Sequence, residues 1–160
     1  MASLKADIVV GGETGAIDDV LNEITPDADG KKHQNIMNDD IEEKDSAIQM
    51  LIVFVEELGG GCGQFIEQIS EILLNLTQFS ASDNIRNSAA GALPALIKCA
   101  KAAYPDKVAE MQIMAKKYSN NIIDAMESET ETDCLICQAQ ALKEIIEEAG
   151  DNLLVQDSVN

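Results

Sequence analysis

The spacing of apolar residues is the strongest constraint on the fold of this 160-residue chain. From Asp40 onward, apolar residues recur every three or four positions in five segments, which is the period of an amphipathic α-helix. In the third segment, for example, Ile85, Ala89, Leu93 and Leu96 fall on one helix face. Aromatic residues make up only 3% of the chain, which disfavours a β-sandwich. We therefore predict an all-α fold.

The five predicted helices have similar lengths, and short polar or glycine-containing turns join them. They span residues 41–58, 64–79, 84–103, 106–127 and 133–149. Residues 1–40 are instead rich in acidic residues and glycine, so we expect an acidic, largely irregular segment with a short helix near 16–24. Residues 151–160 contain a further apolar group, which would start the next helix.

Helices of this kind build either a bundle or a stack of repeated units, and the chain contains a weak internal repeat. Ala47 and Leu51 match Ala89 and Leu93 in spacing, and Leu142 occupies the corresponding place in the fifth helix. Positions 51, 93 and 142 are 42 and 49 residues apart, near the ~40–47-residue period of two-helix repeats. The periodicity therefore favours an α-solenoid, in which neighbouring units share one hydrophobic core.

The charge balance excludes several classes of partner. The chain has 29 Asp and Glu against 11 Lys and Arg, a formal net charge of −18. Nucleic-acid binding depends on basic residues that neutralise phosphates, and the sequence has no basic stripe. We also expect no membrane insertion, because no apolar run reaches the about 18 residues of a membrane span. A charged partner would be basic, although excess acid also serves solubility alone.

The sequence carries no convincing catalytic or metal site. Cys134 and Cys137 form a C-x-x-C at the start of the fifth predicted helix, but acidic neighbours would raise the pKa of these thiols. Cys62, Cys99 and the single His33 lack zinc-type spacing to that pair. We expect no enzymatic activity, no cofactor and no metal. Because no export signal is evident, we also expect all four cysteines to be free thiols.

The predicted helices carry short motifs in a fixed order. They are Ile41-Glu42-Glu43-Lys44-x-x-Ala47-x-x-Met50-Leu51, Phe65-Ile66-Glu67-Gln68, Ile85-Arg86-x-x-Ala89-Ala90-x-x-Leu93-Pro94-x-Leu96 and Ile146-Glu147-x-x-Gly150. In order and spacing, these motifs resemble the importin-beta (karyopherin-beta) family, in its beta-3 branch. The resemblance covers nearly the whole chain.

The resemblance implies that residues 41–160 are an internal fragment of a HEAT-repeat α-solenoid. Residues 64–103 and 106–149 would each form one repeat, an A helix followed by a B helix. The helix at 41–58 would be the B helix of a preceding repeat, and residues 1–40 would be an acidic insert.

The last repeat departs from the family pattern. In the family, a B helix begins near a hydrophobic residue followed by arginine, as Ile85 and Arg86 do here. Cys134 and Leu135 occupy that place in the fifth helix, where an arginine or lysine is expected.

The resemblance also implies a function in nuclear transport, with shuttling between cytoplasm and nucleus through the nuclear pore. The partners would be basic cargo proteins with nuclear localisation signals, released under the control of Ran. Ran and nucleoporins would bind other parts of a full-length receptor. Candidate cargo-binding acids lie on the B helices, which a solenoid presents on its concave face. They are Glu43, Glu56, Glu144, Glu147 and Glu148.

Two alternatives remain open from the sequence. A different HEAT-repeat scaffold, such as a phosphatase or condensin subunit, would share the fold but ignore nuclear localisation signals. A thiol-redox protein would use Cys134 and Cys137 instead. Each candidate acid could also be a surface residue that only keeps the protein soluble.

Overall fold

The structure is a computed structural model that describes residues 17–21 and 38–150. These residues form helices and turns and contain no strand, so the all-α prediction is confirmed. The helices are α1 (residues 17–21), α2 (Asn38–Leu58), α3 (Ile66–Leu76), α4 (Asp83–Ala103), α5 (Val108–Ser128) and α6 (Thr132–Ala149). The helix start expected at 151–160, and most of the acidic segment 1–40, lie outside the described residues.

The observed ends of α2 to α6 agree with the predicted boundaries to within three residues. The sequence did not predict the 3₁₀ helix Gly59–Phe65, hereafter the 3₁₀ linker, which connects α2 to α3. Gly59 begins this linker with φ +48, a left-handed conformation that glycine adopts readily and that commonly ends an α-helix. At the start of α4, the Ser82 hydroxyl accepts a hydrogen bond from the backbone N–H of Ile85.

The helices pack in two layers around α4. Helix α4 packs against α2 on one side and α6 on the other, so that α2, α4 and α6 form one layer. Helix α3 packs against α4 and α5 packs against α6, as two-helix units. The short helix α1 contributes Ile17, Val20 and Leu21 to the same hydrophobic core. This arrangement is that of an all-α helical-repeat fragment.

Burial repeats along the chain with the 49-residue spacing that separates Leu93 from Leu142. The pairs of buried residues at this spacing are Ile66 and Ala115, Ile69 and Tyr118, Ser70 and Ser119, Leu73 and Ile122, Leu76 and Ala125, Ile85 and Cys134, Ala89 and Gln138, Ala92 and Ala141, and Leu96 and Ile145. One register therefore relates α3 to α5 and α4 to α6. The buried positions of α5 and α6 therefore repeat those of α3 and α4.

A buried ion pair ties α4 to the turn between α5 and α6. The Arg86 guanidinium donates from Nε to Glu129 Oε2 at 2.8 Å and from Nη2 to Glu129 Oε1 at 3.1 Å. Its Nη1 donates to the Phe79 carbonyl at 3.0 Å, so the same side chain also holds the turn after α3. We call this pair the Arg86–Glu129 clamp.

The Glu129 carboxylate of the clamp is surrounded by donors. It also accepts hydrogen bonds from the backbone N–H groups of Thr130 and Glu131 and from Gln138 Nε2, and its side chain is only 4% exposed. The hydrogen bonds from Arg86 lower the pKa of Glu129 from its ordinary value near 4.5 to about 2. The clamp is therefore fully ionised at neutral pH.

Polar side chains join α3 to α5 on the other layer. The hydroxyls of Ser70 and Tyr118 are hydrogen-bonded to each other, and burial raises the pKa of Tyr118 to about 12. Asn121 accepts from Thr77 Oγ1 at 2.7 Å and donates from Nδ2 to the Leu74 carbonyl at 3.1 Å. These bonds fix the position of α5 relative to α3.

The expectation that all four cysteines are free thiols is wrong for one pair. Cys62 in the 3₁₀ linker and Cys99 in α4 form a disulfide, whereas Cys134 and Cys137 carry free thiols. The physical reason is the close approach of the glycine-rich linker to the end of α4. A Cβ atom added to Gly60 would lie 3.0 Å from the backbone carbon of Ala102, a distance that real Cβ contacts essentially never fall below.

Leu93→Ala tests the hydrophobic core around α4. Leu93 is fully buried, so its truncation leaves a cavity and we expect the free energy of unfolding to fall by about 2–5 kcal/mol. Urea denaturation at pH 7 measures the change. Gly91→Ala is the matched control, because Gly91 is exposed in the same helix and an added Cβ meets no neighbour. A loss below about 1 kcal/mol for Leu93→Ala would contradict its place in the core.

Glu129→Ala tests the clamp and its pH dependence. Removing one partner of a buried pair leaves the Arg86 charge uncompensated, so we expect a loss of about 3–5 kcal/mol at pH 7. The lowered pKa of Glu129 stabilises the native protein fully above pH 4.5, and that contribution is lost as the pH falls toward 2. The stability difference between wild type and variant should therefore shrink on acidification.

Urea midpoints at pH 7, 4.5 and 3 measure this trend. Glu131→Ala is the control, since Glu131 is an exposed neighbour whose side chain forms no capping bond to α6. If the two variants are equally stable at pH 7, the clamp does not hold the turn.

Candidate functional site: the acidic edge of the α2–α4–α6 layer

The three helices of this layer run in the same direction, so their C-terminal ends lie along one edge. Early in α4, the Asn87 carbonyl accepts a hydrogen bond from the Cys137 thiol, near the start of α6. Late in α4, Lys101 donates to the Glu148 carboxylate, near the end of α6. The start of α2 is likewise held to α4, because Asp45 accepts from Ser88 at 2.6 Å. The 3₁₀ linker after α2 then meets the end of α4.

Carboxylates collect at this edge, and we call them the acidic edge. Its members are Glu56 and Glu57 of α2 with Glu144, Glu147 and Glu148 of α6. Neither α2 nor α6 has a basic residue in its last turn. A helix C-terminus carries a partial negative charge from its unpaired carbonyl groups, so these carboxylates add to an electrostatic potential that already favours cations.

Glu148 is held by lysines of α4. Its carboxylate is 3.0 Å from Lys101 Nζ and 4.0 Å from Lys98 Nζ. Lys101 also donates to the backbone carbonyl of Glu148 at 2.9 Å, which caps the end of α6. The structure therefore gives Glu148 a role in joining α6 to α4, and its predicted role in cargo binding stays a prediction.

The other two acids of α6 are more accessible to a partner. Glu147 is exposed and lies 3.6 Å from Lys143 one turn earlier, a surface pair worth about 0.2–1 kcal/mol at most. Glu144 is half-buried and accepts a weak hydrogen bond from Gln140 at 3.5 Å. Both carboxylates can therefore exchange these contacts for a basic partner at low cost.

The two candidate acids of α2 lie far from each other. Both Glu43 and Glu56 are exposed, but thirteen residues of helix separate them, about 20 Å at 1.5 Å per residue. Glu56 belongs to the acidic edge, whereas Glu43 lies toward the opposite end of α2. The structure thus brings four of the five predicted acids to one edge and leaves Glu43 outside it.

The repeat register places a lysine in the middle of the acidic edge. Lys98 of α4 corresponds to Glu147 of α6 at the 49-residue spacing and to Glu56 of α2 at the 42-residue spacing. The three side chains are all exposed, in the order acid, base, acid across three neighbouring helices. The residues predicted from the sequence for this site were all acidic and did not include Lys98, although the spacings of Leu51, Leu93 and Leu142 align Lys98 with Glu56 and Glu147.

The surroundings of the two free thiols of α6 disfavour the thiolate form. Cys134 is buried and contacts the Asp83 carbonyl at 3.7 Å, and Cys137 donates to the Asn87 carbonyl at 3.4 Å. Burial raises the pKa of both thiols, and Glu129 raises that of Cys134 further. A reactive cysteine needs the opposite environment, one that stabilises the thiolate.

Among the described residues, no group of three or more His, Cys, Asp or Glu side chains is placed to hold a metal ion. None of the described helices combines the length and the apolar character that crossing a membrane requires.

Alkylation measures the reactivity of the two thiols. Burial limits both access and thiolate formation. We therefore expect the buried Cys134 to react with iodoacetamide at pH 8 roughly tenfold more slowly in the native protein than in urea, and the half-buried Cys137 to be slowed less. Peptide mass spectrometry resolves each site, and the rate of free cysteine is the reference. A native rate equal to or above that of free cysteine would instead support a thiol-redox activity.

A comparison with curated proteins finds a relative in Saccharomyces cerevisiae, importin subunit beta-3. The two sequences are 26% identical over 129 residues, which cover 80% of this chain but only 12% of the relative. This chain therefore spans about an eighth of the length of the protein that it resembles. No family model matches the chain. The similarity supports an importin-beta-like relationship.

Proposed function

We propose that this chain is a helical-repeat part of a nuclear transport receptor and that its acidic edge binds basic segments of cargo proteins. The observation that carries the proposal is the similarity to importin subunit beta-3 over 80% of the chain. The cargo segments would be Lys/Arg-rich nuclear localisation signals, and the receptor would shuttle between cytoplasm and nucleus.

An uncovered stacking face supports a place within a longer solenoid. Leu74 of α3 is 9% exposed and its carbonyl accepts a hydrogen bond from Asn121 of α5, whereas Ile123, the corresponding residue of α5, is 44% exposed. On the other layer, Leu93 is fully buried while its counterpart Leu142 is only partly buried. A further two-helix unit packed in the same register would cover these positions.

The electrostatics of the acidic edge support a basic partner. The net charge of −18 attracts cations over long range, and the helix ends concentrate negative potential where the carboxylates lie. Lysine and arginine side chains would form charge-assisted hydrogen bonds with the carboxylates of Glu56 and Glu147. Such contacts favour fast, salt-sensitive association, which suits cargo that must later be released.

The acid, base, acid order predicts a spacing preference in the cargo. Adjacent packed helices lie 8–10 Å apart, so Glu56 and Glu147 are roughly 20 Å apart across α4. An extended peptide covers that distance in about six residues. Because Lys98 repels a basic residue at the centre, the preferred signal would carry two basic groups separated by a neutral spacer.

Control by Ran and passage through the pore belong to the same proposal. We expect Ran and nucleoporins to bind parts of the receptor other than these helices, because this chain matches only 12% of the relative.

Two other functions follow from different features. A HEAT-repeat scaffold outside nuclear transport would share the fold and the acidic edge but would lack preference for localisation signals. A thiol-redox function is disfavoured by the raised pKa values of Cys134 and Cys137.

Peptide binding tests the proposal. A fluorescent peptide with two Lys/Arg pairs and a six-residue neutral spacer should bind the protein in 50 mM salt and bind less tightly as salt rises. Glu56→Gln/Glu147→Gln should weaken binding about 5–30-fold, since two exposed charge contacts contribute about 0.5–1 kcal/mol each. Fluorescence anisotropy measures both effects.

Two controls separate site binding from general charge attraction. Asp124→Asn/Glu127→Gln removes the same charge from exposed positions of α5, on the other layer, and should leave affinity nearly unchanged. A peptide with the same composition but its basic residues in one central block should bind less tightly. Equal losses for both double variants would contradict a site at the acidic edge, and absence of binding to either peptide would contradict the proposed cargo.

A further inference from the structure

The disulfide between Cys62 and Cys99 lies in the core, where the 3₁₀ linker meets α4. Cys62 is 1% exposed and Cys99 is 2% exposed, and their Cα atoms are 6.7 Å apart. This separation is within the range that a disulfide spans without backbone movement. A disulfide between Cys62 and Cys99 is therefore compatible with the observed backbone.

The linker sequence brings the two sulfurs together. Residues 59–65 read Gly-Gly-Gly-Cys-Gly-Gln-Phe, and the glycines on both sides of Cys62 pack closely against the end of α4. A Cβ atom on Gly63 would lie 2.7 Å from Ala103 Cβ, and one on Gly60 would lie 3.0 Å from the Ala102 backbone. Only glycine permits this approach, so the pairing of Cys62 with Cys99 is built into the linker.

The reduced form is also accommodated. The Cys62 sulfur lies 3.1 Å from the Gly59 carbonyl oxygen, so a thiol at this position has a hydrogen-bond acceptor. Cysteine thiols are otherwise well suited to an apolar environment. The reduced state therefore leaves the Cys62 thiol with a hydrogen-bond acceptor.

We propose that Cys62 and Cys99 are a reversible redox pair that fastens the 3₁₀ linker to α4. Glutathione disulfide is the oxidant: one thiolate attacks it to form a mixed disulfide and release one glutathione, and the second thiolate displaces the other. Two protein thiols and one glutathione disulfide thus become one protein disulfide and two glutathiones. Excess glutathione reverses the reaction.

The exchange requires a local opening of the linker. Both sulfurs are buried, so glutathione reaches them only when the segment 59–65 separates from α4. Four glycines in seven residues favour that opening, since glycine gains the most backbone freedom when it is released. Once formed, the disulfide makes this opening rarer without abolishing it, so excess glutathione still reaches the sulfurs, more slowly than in the reduced protein.

The pair controls one end of a groove between α3 and α5. This groove has a volume of about 700 Å³, and its lining includes Gly63, next to Cys62, and Ala100, next to Cys99. Tyr104, which follows α4, also lines it. The oxidised protein keeps this wall fixed, whereas the reduced protein allows the linker side of the wall to move.

Redox titration of the full chain tests the proposal. The protein is equilibrated across glutathione to glutathione disulfide ratios, quenched with acid, alkylated and digested. A peptide linking Cys62 to Cys99 should appear as the ratio becomes oxidising and disappear on return to excess glutathione. Thermal unfolding should show a Tm roughly 5–15 °C higher for the oxidised form. Hydrogen exchange at residues 59–65 should be faster in the reduced form.

Matched variants assign these effects. Cys62→Ser/Cys99→Ser should abolish the redox dependence of the Tm, whereas Cys134→Ser/Cys137→Ser should preserve it. The proposal is overturned if no linked peptide forms at any ratio. It is equally overturned if the linked peptide forms but resists excess glutathione, because the bond would then be permanent rather than switchable.

Discussion

The Arg86–Glu129 clamp is the interaction on which the stacking order depends. It is a bidentate ion pair with only 4% of the Glu129 side chain exposed, and it joins α4 of one unit to the turn that opens α6 in the next. The same guanidinium holds the Phe79 carbonyl, so one side chain positions three segments. A charge buried among directional donors allows little displacement, because each donor has to stay within hydrogen-bonding distance. The clamp therefore sets the register in which α6 lies beside α4.

That register determines what the surface presents. Because α2, α4 and α6 run in the same direction, their C-terminal ends and carboxylates share one edge, and Lys98 falls between Glu56 and Glu147. A shift of α6 by one turn would separate Lys101 from Glu148 and remove the cap at the end of α6. The arrangement of charges proposed to recognise a basic cargo thus follows from contacts within the core.

The fold could be predicted from the sequence because each helix is indicated by the spacing of apolar residues within its own segment. Helical periodicity placed α4 to within one residue, and the spacing from Leu93 to Leu142 already contained the repeat. Contacts between distant residues could not be predicted in the same way. A buried Arg86 requires an acidic partner. The sequence has several acids near the turn between α5 and α6, and it does not distinguish Glu129 from the others. The pairing of Cys62 with Cys99 likewise depends on how closely the linker approaches α4.

The helices within each of the two layers are joined by different kinds of contact, and this difference determines how the stack can deform. Helices α3 and α5 are linked by hydroxyl and amide bonds such as those of Ser70 with Tyr118 and of Thr77 with Asn121. Each such bond contributes only about 1 kcal/mol net, whereas α4 carries more buried apolar residues than α3 or α5, so separating α4 from its neighbours exposes more apolar area. When the stack bends elastically, the distance between α3 and α5 should therefore increase first, while the stiffer α2–α4–α6 layer keeps its helix spacing.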